Sequence, residues 1–208
     1  MDLQAASVYS LKPRFLRMLR PFARWLVSQA ATANAVTLFA GALCVGTGVL
    51  LAWQGTPRGW FLILPFVFFV RMGLNALDGL MAREFHQQTR LGAYLNELAD
   101  VVSDAFLILP FARVPEINPA WIAGVIVLAT ISEMTGALGV AIGGSRRYDG
   151  PMGKSDRAVV FSVLAVWLGA GKTIPPRALT MIPCAISILI ALTICNRVRG
   201  GLAETHSL

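Results

Sequence analysis

The chain has 208 residues, of which 56% are hydrophobic and 14% are charged, and its mean hydropathy is +0.64. This composition excludes a soluble domain of the same size and indicates a protein that crosses a membrane several times. The net charge of +7 would suggest a nucleic-acid partner in a soluble protein, but here most arginines flank apolar segments. We therefore expect no nucleic-acid partner and assign the charge to membrane topology and anionic lipid headgroups.

Residues 12–27 predict an amphipathic helix that precedes the first apolar segment. Its basic residues lie on one helical face and its large apolar residues lie on the other. Such a segment is typical of a helix in the plane of the membrane interface, and the alternative is an ordinary helix packed on a protein surface. The basic residues are Arg14, Arg17, Arg20 and Arg24, and Pro21 is expected to kink or divide the helix.

Six apolar segments follow and predict six transmembrane helices. The predicted fold is an all-α integral membrane protein with an interfacial segment over 1–30, a six-span domain over 31–200 and a tail over 201–208. The predicted spans lie near residues 35–53, 59–83, 91–111, 121–142, 157–172 and 177–196.

The distribution of lysine and arginine predicts the topology. With the N-terminus in the cytoplasm, 13 of these cations lie inside and four lie outside, while Arg71 falls within a span. The positive-inside rule therefore favours a cytoplasmic position for both termini. It also puts the polar residues at the junction of spans two and three on the cytoplasmic side.

Polar and acidic residues recur at helical spacing within spans two and three. Asn75 and Asp78 share a face of span two, while Asn96, Asp100 and Asp104 recur every four residues along span three. Ionisable groups in lipid are costly and by default mark a functional site. Carboxylate and amide oxygens suit a hard cation such as Mg²⁺, Mn²⁺ or Ca²⁺, and a metal with arginine beside small residues suits a phosphoryl substrate.

This stretch resembles the CDP-alcohol phosphatidyltransferase superfamily, whose members carry D-x2-D-G-x2-A-R-x8-G-x3-D-x3-D. Every spacing matches, and six of the eight positions are identical. The eight positions are here Asn75, Asp78, Gly79, Ala82, Arg83, Gly92, Asn96 and Asp100.

The resemblance implies a transferase of phospholipid biosynthesis in a bacterial inner membrane. It would move a phosphatidyl group from a CDP-linked lipid, expected to be CDP-diacylglycerol, to an alcohol acceptor with release of CMP. The resemblance also implies a homodimer, one or two Mg²⁺ or Mn²⁺ ions, and Asp100 as general base. The implied metal ligands are Asn75, Asp78, Asn96 and Asp100, and the implied nucleotide and diphosphate ligands are Asp78, Gly79, Ala82, Arg83 and Gly92.

The two asparagines depart from the superfamily pattern. An amide oxygen can ligate a metal but carries no charge, so Asp78 and Asp100 together balance one divalent ion. Either one metal is held tightly, or a second arrives with the donor's diphosphate. Three interpretations stay open: a natural bacterial inner-membrane branch with altered metal use, a catalytically silent lipid- or nucleotide-binding relative, or a variant disabled by two substitutions. The retained Asp100 favours the first. A small transporter is suggested only by the charges at mid-membrane, and no convincingly broken span supports it.

Three charged residues are expected deeper in the membrane. Arg71, Asp104 and Glu133 lie near mid-membrane by residue count, and an unpaired charge there would be costly. We predict that Arg71 pairs with Asp104, Glu133 or both. The pair would either hold the spans together or support Asp100 and replace lost ligand charge.

The segment after span four carries four further cations: Arg146, Arg147, Lys154 and Arg157. One interpretation is a site for an anionic acceptor or for the donor's diphosphate. The other is a cytoplasmic loop whose cations contact lipid phosphates.

Overall fold

The computed structural model describes residues 11–53, 57–172 and 175–205. Within these ranges the regular structure is helical, and no strand occurs. Short 3-10 segments precede α3, at Arg58–Leu62, and follow α4, at Leu109–Arg113. The helices are α1 (Leu11–Ser28), α2 (Ala33–Ala52), α3 (Ile63–Glu84), α4 (Arg90–Ile108), α5 (Pro119–Ala141), α6 (Lys154–Gly169) and α7 (Pro176–Thr205).

Side chains cap the helices that carry the motif or lie next to it. The Thr32 hydroxyl accepts a hydrogen bond from the Ala35 amide at the start of α2, at 3.1 Å. The Thr89 hydroxyl accepts one from the Gly92 amide at the start of α4, at 2.8 Å. Each cap satisfies an amide that has no partner within its helix, so these threonines fix where α2 and α4 begin.

Four helical segments among the described residues are long and apolar enough to cross a membrane: Ala33–Ala52, Arg58–Glu84, Pro119–Ala141 and Thr180–Thr205. The expectation of an all-helical membrane protein is therefore confirmed. Helix α4 corresponds to a predicted span but carries Arg90 and three acidic residues, and α6 has only 16 residues. The passage of α4 and α6 through the membrane stays a prediction.

The chain divides into two compact units. The first comprises residues 1–42 and Phe69–Ala99, and the second comprises Leu43–Phe68 and Asp100–Leu208. In the second unit a core of buried aliphatic and aromatic side chains includes Phe61, Phe111 and Phe161. The Phe111 ring meets Phe61 and Phe161 edge to face, with centroids 5.3 and 5.0 Å away, an arrangement favoured between aromatic rings.

The predicted amphipathic helix forms as α1, and only part of its apolar surface is buried. In the first unit Ala23 is fully buried in a cluster with Leu77, Leu80 and Met81 of α3. Other apolar residues stay exposed, and the rings of Phe22 and Trp25 stack on each other at 5.6 Å. Pro21 lies within a continuous helix, so the predicted division does not occur. The interfacial position of α1 stays a prediction.

Two boundaries differ from the sequence prediction. Helix α7 continues to Thr205, so most of the predicted tail is helical. The Glu204 carboxylate accepts hydrogen bonds from the Ser145 amide and hydroxyl at 3.0 and 2.9 Å, and these contacts give the last turns of α7 a tertiary partner. Helix α6 begins at Lys154 rather than near 157, because the Asp156 carboxylate accepts the Gly153 amide at 2.9 Å and caps its first turn.

Candidate active site

In the first unit, the motif aspartate of predicted span two is Asp78, which lies on α3. Its side chain is buried, and its Oδ2 accepts a hydrogen bond from the Thr37 hydroxyl of α2 at 2.6 Å. Asn75 lies three residues earlier on α3 and is partly buried. The hydrogen bond from Thr37 orients the Asp78 carboxylate, and the predicted role of Asp78 and Asn75 as metal ligands stays a prediction.

The small residues of the motif allow close approach of polar groups. A Cβ atom at Gly79 would lie 3.3 Å from Nη1 of Arg83, so the guanidinium packs against the bare α3 backbone. A Cβ atom at Gly92 would lie 2.6 Å from the Asn34 side-chain oxygen and would clash. The lack of a side chain at Gly92 therefore lets Asn34 of α2 lie close to the α4 backbone. The role of Gly92 in nucleotide binding stays a prediction.

In the second unit, Asp100 on α4 is paired with a lysine. Its buried carboxylate lies 2.5 Å from Nζ of Lys154, the first residue of α6. The Lys154 side chain is 34% exposed, whereas that of Asp100 is 2% exposed. Lys154 therefore lies at a helix start beside the predicted general base and not in the predicted loop. Its predicted contact with an anionic acceptor, a diphosphate or lipid phosphates stays a prediction.

Arg157 is the buried centre of a charge network. Its Nε lies 2.8 Å from Asp104, and its Nη2 lies 2.9 Å from Glu133. The side chain is 1% exposed, and Nη1 donates to the Met152 carbonyl oxygen at 3.1 Å. The interpretation of Arg157 as a loop cation is therefore wrong, because the residue lies inside α6 and is enclosed by two carboxylates.

Two more arginines lie close to the carboxylate of Glu133 on α5. Nη2 of Arg146 lies 3.2 Å from its Oε2, and Nη1 of Arg197 lies 3.4 Å from its Oε1. Arg197 also donates to the Ser132 carbonyl oxygen at 2.5 Å. Three guanidinium groups thus surround one buried carboxylate, so the positive charge exceeds the negative charge around Glu133.

Arg147 ties the segment after α5 to the end of α7. Its guanidinium lies 2.8 Å from Asp149 and 3.0 Å from Glu204. The hydrogen bond to Asp149 and the nearby carboxylates raise the pKa of Arg147 above its usual value. Of the four cations assigned to this segment, only Arg146 and Arg147 actually lie between α5 and α6.

Several predicted relationships join residues of the two units and stay predictions. The approach of Asp78 to Asp100 is one, and the pairing of Arg71 is another, although Arg71 is buried as expected at 4% exposure. No cluster of three or more His, Cys, Asp or Glu side chains suited to a metal occurs in the described part of the chain.

Several contacts of the site were not predicted from the sequence, including those of Arg157 with Asp104 and Glu133. Thr37 is one of the few polar residues in the apolar α2 segment, and that feature could have marked it as a partner for a buried acid. Arg197 was counted only as a flanking cation, because the predicted final span ended one residue earlier. The Lys154–Asp100 pair joins residues 54 positions apart, and no local pattern in the sequence signals it.

Comparison with known proteins identifies the family. The CDP-alcohol phosphatidyltransferase family model matches residues 30–195, and the chain belongs to this family. The chain is 44% identical over 199 residues to the inner membrane protein YnbA of Escherichia coli, with 94% of this chain and 96% of that protein covered. It is 29% identical over 181 residues to a phosphatidylinositol phosphate synthase of Streptomyces avermitilis, covering 84% of this chain and 72% of that protein.

Solved structures show the same fold. The phosphatidylinositol phosphate synthase PgsA1 of Mycobacterium tuberculosis, in complex with manganese and citrate, matches with a TM-score of 0.69 at 21% identity, covering 88% of each chain. The same enzyme with CDP-DAG bound matches with a TM-score of 0.70 at 22% identity, covering 91% of this chain and 94% of that chain. The resemblance inferred from the Asn75–Asp100 motif is thereby confirmed at the level of family and fold.

Proposed function

We propose that this protein transfers a phosphatidyl group from CDP-diacylglycerol to an alcohol and releases CMP. The observation that carries the proposal is that Asp78 and Asp100 are both retained and both buried within a family motif whose spacings are all kept. The presence of CDP-DAG in a structure of the same fold supports this donor. The acceptor is an alcohol whose identity the motif does not specify.

In the proposed reaction the acceptor hydroxyl oxygen attacks the phosphorus that carries the diacylglycerol. A new P–O ester bond forms, the P–O bond within the diphosphate breaks, and CMP leaves with the electron pair. Asp100 takes the proton of the acceptor hydroxyl. Arg83, beside the bare backbone at Gly79, would bind the diphosphate.

The residues of the motif fit one divalent cation. Asp78, Asp100 and the amide oxygens of Asn75 and Asn96 are hard ligands of the kind that Mg²⁺ and Mn²⁺ prefer. Their two negative charges match one such ion. When bound, the ion would neutralise charge on the diphosphate and on departing CMP. Manganese in a structure of the same fold supports the choice of a divalent cation.

The proposed setting is a bacterial inner membrane. Helices α2 to α7 would form six spans, α1 would lie in the interface through exposed Phe22 and Trp25, and both termini would be cytoplasmic. The acyl chains of the donor would enter laterally from the bilayer. The active form would be a homodimer, by analogy with the family.

A second candidate is a catalytically silent member that binds a CDP-linked lipid. The observation in its favour is that Asn75 and Asn96 occupy two positions at which the family motif has carboxylates. Such a protein would bind the donor without releasing CMP, so the two candidates differ in a single measurable product.

The test is an assay of the purified protein in detergent with CDP-diacylglycerol, Mn²⁺ or Mg²⁺ and a panel of alcohols, including phosphorylated polyols. CMP is measured by chromatography, and the new lipid is identified by mass spectrometry. We expect metal-dependent CMP release that Asp100→Asn and Asp78→Asn reduce by at least about a hundredfold. Glu116→Gln removes an exposed carboxylate outside the motif and should keep full activity. Donor binding without CMP release under every acceptor would favour the silent candidate.

A further inference from the structure

The Lys154–Asp100 pair puts a fixed cation on the carboxylate that the proposed function assigns to metal binding and proton transfer. The ammonium nitrogen lies 2.5 Å from Asp100 Oδ2. Lys154 reaches this position from the first turn of α6, where the capping contact between Asp156 and the Gly153 amide fixes the helix start. The cation is therefore held by defined secondary structure and not by a flexible loop.

Neighbouring acids do not restore the negative charge that the two asparagines remove. Asp104 lies one turn beyond Asp100, but its Oδ2 is 2.6 Å from Nη2 of Arg157. Glu133 faces Arg157, Arg146 and Arg197. Both carboxylates are thus already balanced by arginines within the second unit, and a metal at Asp100 would gain little from them.

We propose that the Lys154 ammonium group competes with the metal ion at Asp100 and supplies there the positive charge that a second divalent cation would bring. This inference rests on the proposed function and extends it. Asp100 and Lys154 together carry no net formal charge, so the pair attracts a divalent ion less than a carboxylate without the lysine would. A further positive charge in the loaded site comes from the protein itself and requires no second metal.

The proposal makes Lys154 a competitor of the metal at a shared carboxylate. An ammonium group within about 5 Å of a divalent ion repels that ion, and this repulsion raises the free energy of the metal-bound state even in a medium as polar as water. Replacing Lys154 by a neutral residue should therefore tighten metal binding. This direction is the opposite of what is expected when a residue that merely helps the fold is removed.

The experiment is a titration of purified protein in detergent with Mn²⁺ in the absence of donor, in which free Mn²⁺ is followed by electron paramagnetic resonance. We expect one Mn²⁺ per chain in the wild type and in every variant below. Lys154→Gln should bind Mn²⁺ about tenfold more tightly. Lys154→Arg keeps the cation and should stay within about threefold of the wild type. Lys172→Gln, at an exposed lysine in the α6–α7 connection, is the matched control and should not change the affinity.

Two results would overturn the proposal: binding of two Mn²⁺ ions by the wild type without donor, or a Lys154→Gln affinity no higher than that of Lys172→Gln. Binding of two Mn²⁺ ions by the wild type overturns the proposal even if Lys154→Gln does not fold, and thermal melting identifies that case. Failure of the proposed function has a different signature, namely no CMP release from a protein that still binds one Mn²⁺ ion with the predicted Lys154 effect.

Discussion

Asp78 of the first unit and the two aspartates of α4 in the second unit, Asp100 and Asp104, have contacts of different kinds. Asp78 accepts a hydrogen bond from the neutral Thr37 hydroxyl. Asp100 and Asp104 in the second unit lie against the cations of Lys154 and Arg157. The hydroxyl that contacts Asp78 is neutral and orients the carboxylate, whereas the cations at 2.5 to 2.8 Å from Asp100 and Asp104 also balance charge.

This difference shows why identical residue types at helical spacing do not have equivalent roles. Asp100 and Asp104 are four residues apart on α4 and look alike in the sequence. The structure gives Asp104 a fully buried arginine and gives Asp100 a lysine that is one-third exposed. Lys154 is therefore accessible to solvent beside its carboxylate, whereas the Arg157 network can be opened only at the cost of burying unpaired charges.

The largest expected effect comes from breaking the buried network of the second unit. Arg157→Met leaves Asp104 and Glu133 without the guanidinium that joins them, and it should destabilise the fold by about 3–5 kcal/mol. Thermal melting in detergent measures this loss. The matched control is Arg199→Met, because Arg199 lies on the exposed side of α7. Equal melting temperatures of the two variants would contradict the structural role assigned to Arg157.

A smaller loss of stability is expected when the hydrogen bond to Asp78 in the first unit is removed. Thr37→Val keeps the shape of the side chain but removes a hydrogen bond to a buried carboxylate, a loss of about 1.5–3 kcal/mol. Thr47→Val is the control, since Thr47 is also a buried threonine of α2. We expect Thr37→Val alone to lower both the melting temperature and the Mn²⁺ affinity. A Thr37→Val variant that binds Mn²⁺ as the wild type does would show that Thr37 does not support Asp78.

Much of the fold could be predicted from the sequence, because hydropathy and helical spacing are local properties. The helix positions follow the apolar segments, and the Asn75–Asp100 motif identified the family. The partners of the charged residues could not be predicted, since Arg157 meets Glu133 across 24 residues and Arg197 meets Ser132 across 65. Such contacts depend on how α5, α6 and α7 pack, and no short pattern in the sequence encodes that packing.

The smallest expected effect concerns an exposed ion pair of the second unit. The hydrogen bond from Arg58 lowers the pKa of Glu116 below its usual value of 4.5. The pair therefore adds stability above pH 4.5, and this stability is lost as the pH falls through the lowered pKa of the folded state. Both side chains are at least 40% exposed, so the contribution should be below about 1 kcal/mol.

The measurement for this pair compares the melting temperatures of the wild type and Glu116→Gln at pH 7 and at pH 3. The wild type should melt slightly higher at pH 7, and the difference should shrink at pH 3. A difference that grows on acidification would contradict the assigned direction of the shift. This exposed pair thus provides a baseline against which the buried pairs at Asp100 and Asp104 can be judged.

The account depends most on whether two aspartates and two asparagines suffice for catalysis. The direct measurement is Mn²⁺-dependent CMP release from CDP-diacylglycerol by the wild type and by the Asn75→Asp/Asn96→Asp double variant, assayed side by side with the same acceptor panel. We predict that the wild type releases CMP. CMP release by the double variant alone would contradict the account, and the chain would then be either a silent relative or a variant disabled by two substitutions.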